Sequence, residues 1–324
     1  MSQPELQPAT PQPAAIEPPS PEPAATTLAT TTETTPTSTG HNGLYKRFDR
    51  WQRIQHALLI LSFTTLTITG IPQMYSESWI GQATIWLFGG IESTRILHRV
   101  AAILLMLGTI WHGGDVTYRV FVRRVRWTML PTWKDITDFW QSMAYNVGLL
   151  KQAPALPRYN FGEKAEYWAV IWGTVIMIIT GFMLWNPIAT TNYLPGQAIP
   201  AALAAHGGEA LLAALSILTW HAYNVHVKYF NRSMFTGYLR REIMEEEHKM
   251  ELEAIEAGDV ETPPDPATLR RRKLIFYPLA VVISLVLLTG LYAFVTFEET
   301  AIATIPRQAV ESSQSEESVA PVAR

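Results

Sequence analysis

Five long stretches of the sequence contain no charged residue. They are the segments between Arg53 and Glu77, between Arg99 and Asp115, between Glu166 and Glu209, between Glu209 and Lys228, and between Lys273 and Glu298. An apolar helix of about 20 residues spans the hydrocarbon core of a bilayer, which is roughly 30 Å thick. These stretches therefore predict an all-α membrane protein. The chain also has no cysteine, which excludes disulfides, cysteine-bound iron–sulfur clusters and covalently attached c-type haem.

The predicted spans divide the chain into five parts. The spans are expected near residues 54–75, 95–118, 166–186, 199–226 and 274–297. The parts are a disordered, Pro/Thr-rich cytoplasmic tail at 1–43, a four-helix domain at 44–240, a charged cytoplasmic segment at 241–273, a fifth transmembrane helix at 274–297 and an external tail at 298–324. Residues 240–257 are expected to form one solvated helix, with His248 at the surface.

The distribution of lysine and arginine predicts the orientation in the membrane. Basic residues cluster before span one, between spans two and three, and after span four, whereas the loops 71–94 and 187–198 contain none. Because cytoplasmic loops carry the excess of positive charge, we expect a multi-pass plasma-membrane protein with a cytoplasmic N-terminus and an external C-terminus. The net charge of −3 gives no indication of nucleic-acid binding. Arg95 and Arg99, at the external start of span two, are exceptions to this distribution.

Histidines inside the predicted spans carry the strongest functional signal. They are His56, His98, His112, His206 and His221. Ionisable residues within a membrane are costly and by default functional. His98 and His112 are 14 residues apart and His206 and His221 are 15 apart, so each pair lies broadly on one helix face. The two members of a pair are separated by about 21 to 22 Å along the helix, which predicts one imidazole near each surface.

The alternating direction of the spans brings these histidines into two layers. His98 and His206 are expected in the outer layer, and His221 in the inner layer with either His56 or His112 as its partner. Neutral imidazoles from two facing helices are suitable axial ligands for a haem iron. We therefore predict two b haems, one in each leaflet, with the choice between His56 and His112 open.

Other residues near these layers are candidates for contact with the cofactors. Gly70 and Gly181 each follow a threonine and would let a helix approach a flat macrocycle closely, although both could equally serve helix packing. Arg95 and Arg99 could bind haem propionates or, alternatively, lipid phosphate. Glu209 lies one turn from His206, where it could support a polar network or take up protons.

Four stretches resemble a known family. They are RFDRWQRIQHALLILSFTTLTITG at 47–70, RILHRVAAI at 95–103, RYNFGEKAEYWAVIWGTVIMIITGFMLWNP at 158–187 and HGGEALLAALSILTWHAY at 206–223. Together they resemble the membrane cytochrome b (gamma) subunit of respiratory formate dehydrogenase and the wider group of prokaryotic dihaem cytochromes b. This resemblance implies a four-helix bundle that holds two b haems.

The resemblance also implies specific ligands. Carried over, it pairs His56 with His221 for the inner haem and His98 with His206 for the outer haem. It implies a menaquinone pocket beside the inner haem, bordered by Asn160 and Gly162 with His221 nearby. The sequence departs from the family in three ways: His112 is additional, the fifth span and acidic tail have no counterpart, and the histidines of the fourth helix are 15 residues apart instead of 14.

These features predict an electron-transfer subunit of a quinone-linked oxidoreductase complex. It would pass electrons between an external redox partner, such as an iron–sulfur subunit or a multihaem cytochrome c, and menaquinone or ubiquinone in the surrounding membrane lipid. The alternative is a haem-free, proton-coupled channel or transporter that uses the histidines as a relay. A relay needs histidines along one aqueous path, whereas the sequence predicts pairs at two depths.

Overall fold

The computed structural model describes residues 43–259 and 261–297. The tails predicted at 1–43 and 298–324 therefore lie almost wholly outside the described residues. Five of the described helices are long and apolar enough to cross a membrane, which confirms the predicted all-α membrane fold. They are Arg50–Met74, Ile91–Val122, Phe161–Trp185, Ala198–Val227 and Pro266–Thr296. The fifth helix begins eight residues before its predicted start at 274, since Asp265 caps it by accepting the N–H of Thr268.

The described elements follow one another along the chain. In order they are β1 (Leu44–Lys46), α1 (Arg50–Met74), α2 (Trp79–Leu87), α3 (Ile91–Thr117, continued by a π-helical turn Tyr118–Val122), α4 (Trp133–Asn146), α5 (Phe161–Trp185), α6 (Pro187–Tyr193), α7 (Ala198–Ser216, continued by π-helical turns Ile217–His221 and Tyr223–Val227), α8 (Ser233–Thr236), β2 (Tyr238–Arg240), α9 (Arg241–Glu247), α10 (Lys249–Glu256) and α11 (Pro266–Thr296).

Four of the long helices form the bundle and the fifth packs on its outside. Helix α1 packs along α3, α5 packs along α7, and α1 also contacts α7. Helix α11 contacts α3 near one surface, where Tyr118 and Phe276 have ring centroids 5.4 Å apart. Near the other surface it contacts α5, with Phe294 at 5.3 Å from Trp185. Aromatic contacts at both ends thus fix α11 against the bundle.

Polar caps mark the end of the bundle at which α1 and α5 begin. The carboxylate of Asp49 accepts the backbone N–H groups of Trp51 and Gln52 at the start of α1. Asn160 accepts the N–H of Glu163 at 2.9 Å at the start of α5. Such capping satisfies backbone donors that have no partner within the helix. We call this end the capped end and the opposite end the open end.

A small folded unit covers the capped end. Strand β1 pairs antiparallel with β2, and α9 and α10 pack against the pair. Its core consists of Tyr45, Leu239, Ile243, Met244 and Leu252. The prediction of one solvated helix at 240–257 is therefore wrong, because this segment forms the two short helices α9 and α10, which are interrupted at His248 and share a buried apolar face. Within this segment, Ile243, Met244 and Leu252 drive the packing, and the charged residues around them hide this apolar pattern in the sequence.

A buried ionic cluster holds this unit against the loop before α5. Arg47, only 3% exposed, lies 2.6 Å from Glu251, which also pairs with Arg158. His248 is likewise 3% exposed, which contradicts its predicted surface position, and its Nδ1–H donates to the carbonyl of Pro157 at 3.2 Å. Burial and the positive charge of Arg47 lower the pKa of His248 to about 3. His248 is thus neutral at physiological pH.

Candidate functional site: two layers of facing histidines

The open-end layer is formed by His98 of α3 and His206 of α7. Their ring centroids are 6.4 Å apart and their planes are inclined at 63°. Because a bond from an imidazole nitrogen to a metal ion is about 2 Å long, two rings on opposite sides of one metal have centroids roughly 6 Å apart. The separation therefore suits two imidazoles that would hold one metal ion between them.

Threonine hydroxyls orient both rings of this layer. Thr69 Oγ1 donates its proton to the carbonyl four residues earlier, so its oxygen can accept the Nδ1–H of His98 at 2.9 Å. Thr180 has the same arrangement with His206, also at 2.9 Å. These hydrogen bonds assign the proton to Nδ1 and leave the Nε2 lone pair available to bind a metal. Partners of this kind orient metal-binding histidines.

Each threonine is followed by a glycine that faces the same ring. A Cβ atom at Gly70 would lie 3.0 Å from Cε1 of His98, and one at Gly181 would lie 3.4 Å from Cε1 of His206. The first distance is too short for an unstrained contact, whereas the second is a tight but ordinary one. Both predicted glycines thus lie at the histidine pair, and position 70 has the stricter requirement.

The capped-end layer contains His56 of α1 and His221 of α7. Their ring centroids are also 6.4 Å apart, with an interplanar angle of 37°. His221 Nδ1 donates to Oε2 of Glu166 at 3.0 Å, which again leaves Nε2 for a metal. Within the described part of the chain, the other oxygen of Glu166 is buried without a protein partner. Glu166 could not be identified from the sequence as a partner of His221, because the two residues lie on different helices.

His112 has a different environment from the other four histidines. Its Nδ1 lies 2.8 Å from Oε1 of Gln55, and its Nε2 lies 3.2 Å from the hydroxyl of Tyr167. Both ring nitrogens are therefore engaged with protein groups. The ring that faces His221 is that of His56, so the geometry favours His56 over His112 as the partner in this layer.

A π-helical turn accounts for the spacing of 15 residues in α7. The N–H of Ala222 donates to the carbonyl of Ile217, five residues earlier, in the turn that ends at His221. An α-helix closes the same bond over four residues, so this turn accommodates one additional residue. The spacing of 15 is thereby equivalent to a spacing of 14 in a regular helix, and His221 keeps the orientation that His56 requires.

The two arginines near the open-end layer have different partners. Arg95 is exposed and pairs with Glu92 at 3.0 Å. The guanidinium of Arg99 lies over the ring of Trp185, 4.4 Å from its centroid. Among residues 43–259 and 261–297, Trp185 Nε1 and both side-chain polar atoms of Asn186 are buried without a protein partner, and Asn186 is 0% exposed. Buried polar atoms of this kind require a bound group or ordered water.

The loop before α5 lies beside the capped-end layer. A Cβ atom at Gly162 would lie 3.1 Å from the ring of Trp220, the residue before His221. Asn160 uses its carbonyl oxygen as the helix cap, so its amide nitrogen is the atom available to donate to a ligand. Between the two layers, a carboxylate oxygen of Glu209 would lie only 2.5 Å from a Cβ at Gly173, so Glu209 packs directly against α5.

This arrangement defines the class of the protein. A bundle of membrane-spanning helices with two stacked pairs of facing histidines is that of a membrane cytochrome b, which functions in electron transfer. The family model for prokaryotic cytochrome b561 matches residues 47–237, and the chain belongs to that family. The family implies binding of haem b, and the five apolar helices indicate a multi-pass plasma-membrane protein.

Similar proteins confirm the resemblance to formate dehydrogenase cytochrome subunits. The cytochrome b556(fdo) subunit of formate dehydrogenase from Escherichia coli K12 is 24% identical over 187 residues, which cover 55% of this chain and 76% of that protein. The cytochrome b556(Fdn) subunit of nitrate-inducible formate dehydrogenase from the same strain is 24% identical over 208 residues, covering 64% and 89%. Helices α9 to α11 lie beyond the segment that the family model matches.

Proposed function

We propose that this cytochrome b holds two b haems and carries electrons between a redox partner at its open end and quinone at its capped end. The main support is the centroid distance of 6.4 Å in both histidine layers. When bound, each haem supplies reversible one-electron chemistry at its iron, and the protein sets its potential through ligands, burial and hydrogen bonds.

Each layer contributes two ligands and the groups that orient them. His98 and His206 would hold the open-end haem through Nε2, with Thr69 and Thr180 accepting the Nδ1 protons. His56 and His221 would hold the capped-end haem, with the Nδ1–H of His221 donated to Glu166. Because His112 already uses both nitrogens, it is assigned no ligand role.

The open end also offers a site for haem propionates. Arg99 supplies a positive charge, and the unpartnered N–H groups of Trp185 and Asn186 supply two buried donors beside it. A carboxylate that accepts these donors would satisfy polar atoms that otherwise remain unpaired. Arg95 is assigned a lesser part in this site, because it pairs with Glu92 at the surface.

Quinone would bind at the capped end. The amide nitrogen of Asn160 can donate to a quinone carbonyl, and Gly162 lets the ring of Trp220 pack closely against the start of α5. One turn further along α5, the buried oxygen of Glu166 can accept from a quinol hydroxyl. Menaquinone and ubiquinone both present these groups, so either is a suitable substrate.

The relatives support the arrangement of the complex. They are named as cytochrome subunits of formate dehydrogenase, which supports a complex with other redox subunits. An iron–sulfur subunit or a multihaem cytochrome c is our proposed partner at the open end. The excess of lysine and arginine at the capped end supports a cytoplasmic location for that end, which gives an external C-terminus.

The alternative of a haem-free relay has less support. A relay requires histidines that are hydrogen-bonded in series along one path. Three of the four paired rings instead donate Nδ1–H to threonine or glutamate, which leaves their Nε2 atoms available to bind a metal. This arrangement suits two metal ions better than a chain of protons.

A spectroscopic and kinetic experiment tests the proposal. Purified chain should contain two b haems by pyridine haemochrome assay and show a b-type signal in the dithionite-reduced minus oxidised spectrum. Menadiol should reduce both haems in the absence of any partner. A preparation that folds and incorporates no haem, or one whose haems menadiol cannot reduce, would contradict the proposal.

A further inference from the structure

A chain of hydrogen bonds surrounds His112 beside the capped-end layer. The hydroxyl of Tyr167 donates to Nε2 of His112 at 3.2 Å, and Nδ1–H of His112 donates to Oε1 of Gln55 at 2.8 Å. The amide nitrogen of Gln55 in turn donates to Asp115 at 3.3 Å. These contacts connect α5, α3 and α1, and none of these residues is needed to hold a haem.

This chain lies at the level of the His56–His221 pair. Gln55 directly precedes His56 in α1, and Tyr167 directly follows Glu166, the partner of His221, in α5. From Asp115 the chain continues to Arg119, at 2.8 Å, and from Arg119 to Asp49, at 2.7 Å. Asp49 caps α1, so the polar chain runs from Tyr167, which follows Glu166 in α5, to the capped end of the bundle.

The hydrogen-bond directions give His112 the properties of a base. Gln55 presents only its carbonyl oxygen to the ring, which fixes the proton on Nδ1 and leaves the lone pair of Nε2 facing the Tyr167 hydroxyl. A proton accepted at Nε2 would produce an imidazolium that the carboxylate of Asp115, three residues later on the same face of α3, attracts and the paired guanidinium of Arg119 repels, so the proton would be passed on and not retained. The amide of Gln55 orients the ring and does not carry the proton onward.

We propose that Tyr167 and His112 form the proton relay of the capped-end quinol site, an inference that rests on the proposed function. In quinol oxidation, both O–H bonds break, and the two electrons would be taken up by the haems that the histidine pairs would hold. Each proton passes in turn to Tyr167 Oη as Tyr167 gives its own proton to His112 Nε2, and His112 releases the first proton to water at the capped end before the second follows. Glu166 accepts a hydrogen bond from the quinol and does not take its proton. Quinone reduction follows the same path in reverse. Tyr167 contacts the substrate, and His112 acts through it.

Two variants and one control test the relay in the full, haem-loaded chain. His112→Gln keeps hydrogen-bonding capacity and loses the basic nitrogen, and Tyr167→Phe removes a single oxygen atom. Tyr118→Phe is the control, because it removes a hydroxyl from the same end of α3 outside this chain of hydrogen bonds. Haem content, the reduced spectrum and reduction by dithionite are measured first and should be unchanged in all three.

The rate of haem reduction after stopped-flow mixing with menadiol then distinguishes a role of His112 and Tyr167 in proton transfer from a purely structural role. The saturating rate of haem reduction should fall about 100-fold in His112→Gln and Tyr167→Phe, as expected for the loss of a general acid–base group. The half-saturating menadiol concentration should change little, and the wild-type rate should be slower in D2O. If His112→Gln loses haem, Tyr167→Phe decides the question.

The outcomes distinguish the relay from the function on which it rests. Variants that retain both haems and react with menadiol as fast as the wild type and Tyr118→Phe would overturn the relay and leave the proposed function intact. If menadiol reduces the haems of none of the proteins, the proposed function fails and the relay fails with it.

Discussion

The two histidine layers have the same distance of 6.4 Å between ring centroids, but the groups around the rings differ. At the open end, neutral threonine hydroxyls hold both rings, and a Thr-Gly pair recurs on α1 and on α5. At the capped end, a carboxylate holds His221, a polar chain runs alongside, and a folded unit covers the surface. The ring separation is thus repeated while the charges around the rings differ, and under the proposed function only the capped-end layer would couple electrons with protons.

The largest expected effect comes from removing one histidine of each layer, which should abolish haem binding in that layer alone. His206→Ala should remove the open-end haem and His56→Ala the capped-end haem, so that haem per chain falls from two to one in each variant. The pyridine haemochrome assay measures this, with the exposed His226→Ala as the control. If both variants kept two haems per chain, the histidine layers would not bind haem as pairs.

Removing the threonine hydroxyls should have the next largest effect. Thr69→Val and Thr180→Val abolish the acceptor for Nδ1–H, and loss of such a partner typically weakens metal binding 10- to 100-fold. Haem dissociation to an apoprotein acceptor should accelerate for the open-end haem only. Equal acceleration of both haems would contradict the independence of the layers.

Replacing the carboxylate of Glu166 should change the reduction potential of the capped-end haem more than the amount of haem that the protein retains. With a haem bound at His221, Glu166 would stabilise the ferric state by increasing the basicity of the imidazole, so Glu166→Gln should raise the reduction potential of the capped-end haem. A tenfold change in the ratio of ferric to ferrous affinity corresponds to about 59 mV for one electron. A redox titration with optical detection gives both potentials, and the open-end value serves as the internal reference. An unchanged or lower capped-end potential would contradict a role for Glu166 in setting it.

The smallest effect concerns acid stability and should be confined to the capped end. His248 has a pKa of about 3 when folded against an ordinary value of 6.5, so it stays neutral while the unfolded segment binds a proton. Stability is therefore complete above pH 6.5 and declines as the pH falls towards 3, by about 1 kcal/mol at pH 5.5.

Limited proteolysis of the segment 238–256 across this pH range detects the loss. His248→Gln should abolish the pH dependence, because glutamine does not titrate. The open-end loops provide the comparison within the same sample. A wild-type cleavage rate that stays constant from pH 7 to pH 5 would contradict a buried neutral His248.

Some of these features could be predicted from the sequence and others could not. The spans followed from charge-free stretches, and the layers followed from the spacing of histidines within helices, since both depend on positions along one element. The covering unit was missed because charges surround Ile243, Met244 and Leu252. Glu166 and Asn186 were missed because their roles depend on which neighbouring helix faces them and on burial, neither of which a single segment encodes.

The wide turn before His221 has a consequence for how such proteins are recognised. The π-helical turn accommodates an inserted residue, so the direction in which His221 points does not depend on the exact number of residues between the two histidines. A search for paired intramembrane histidines that demands one fixed interval would pass over chains of this kind, whereas a search that tolerates an interval of 14 or 15 would retain them. Insertions in this part of a membrane helix need not destroy a cofactor site, so helix length and ligand geometry can diverge independently in evolution.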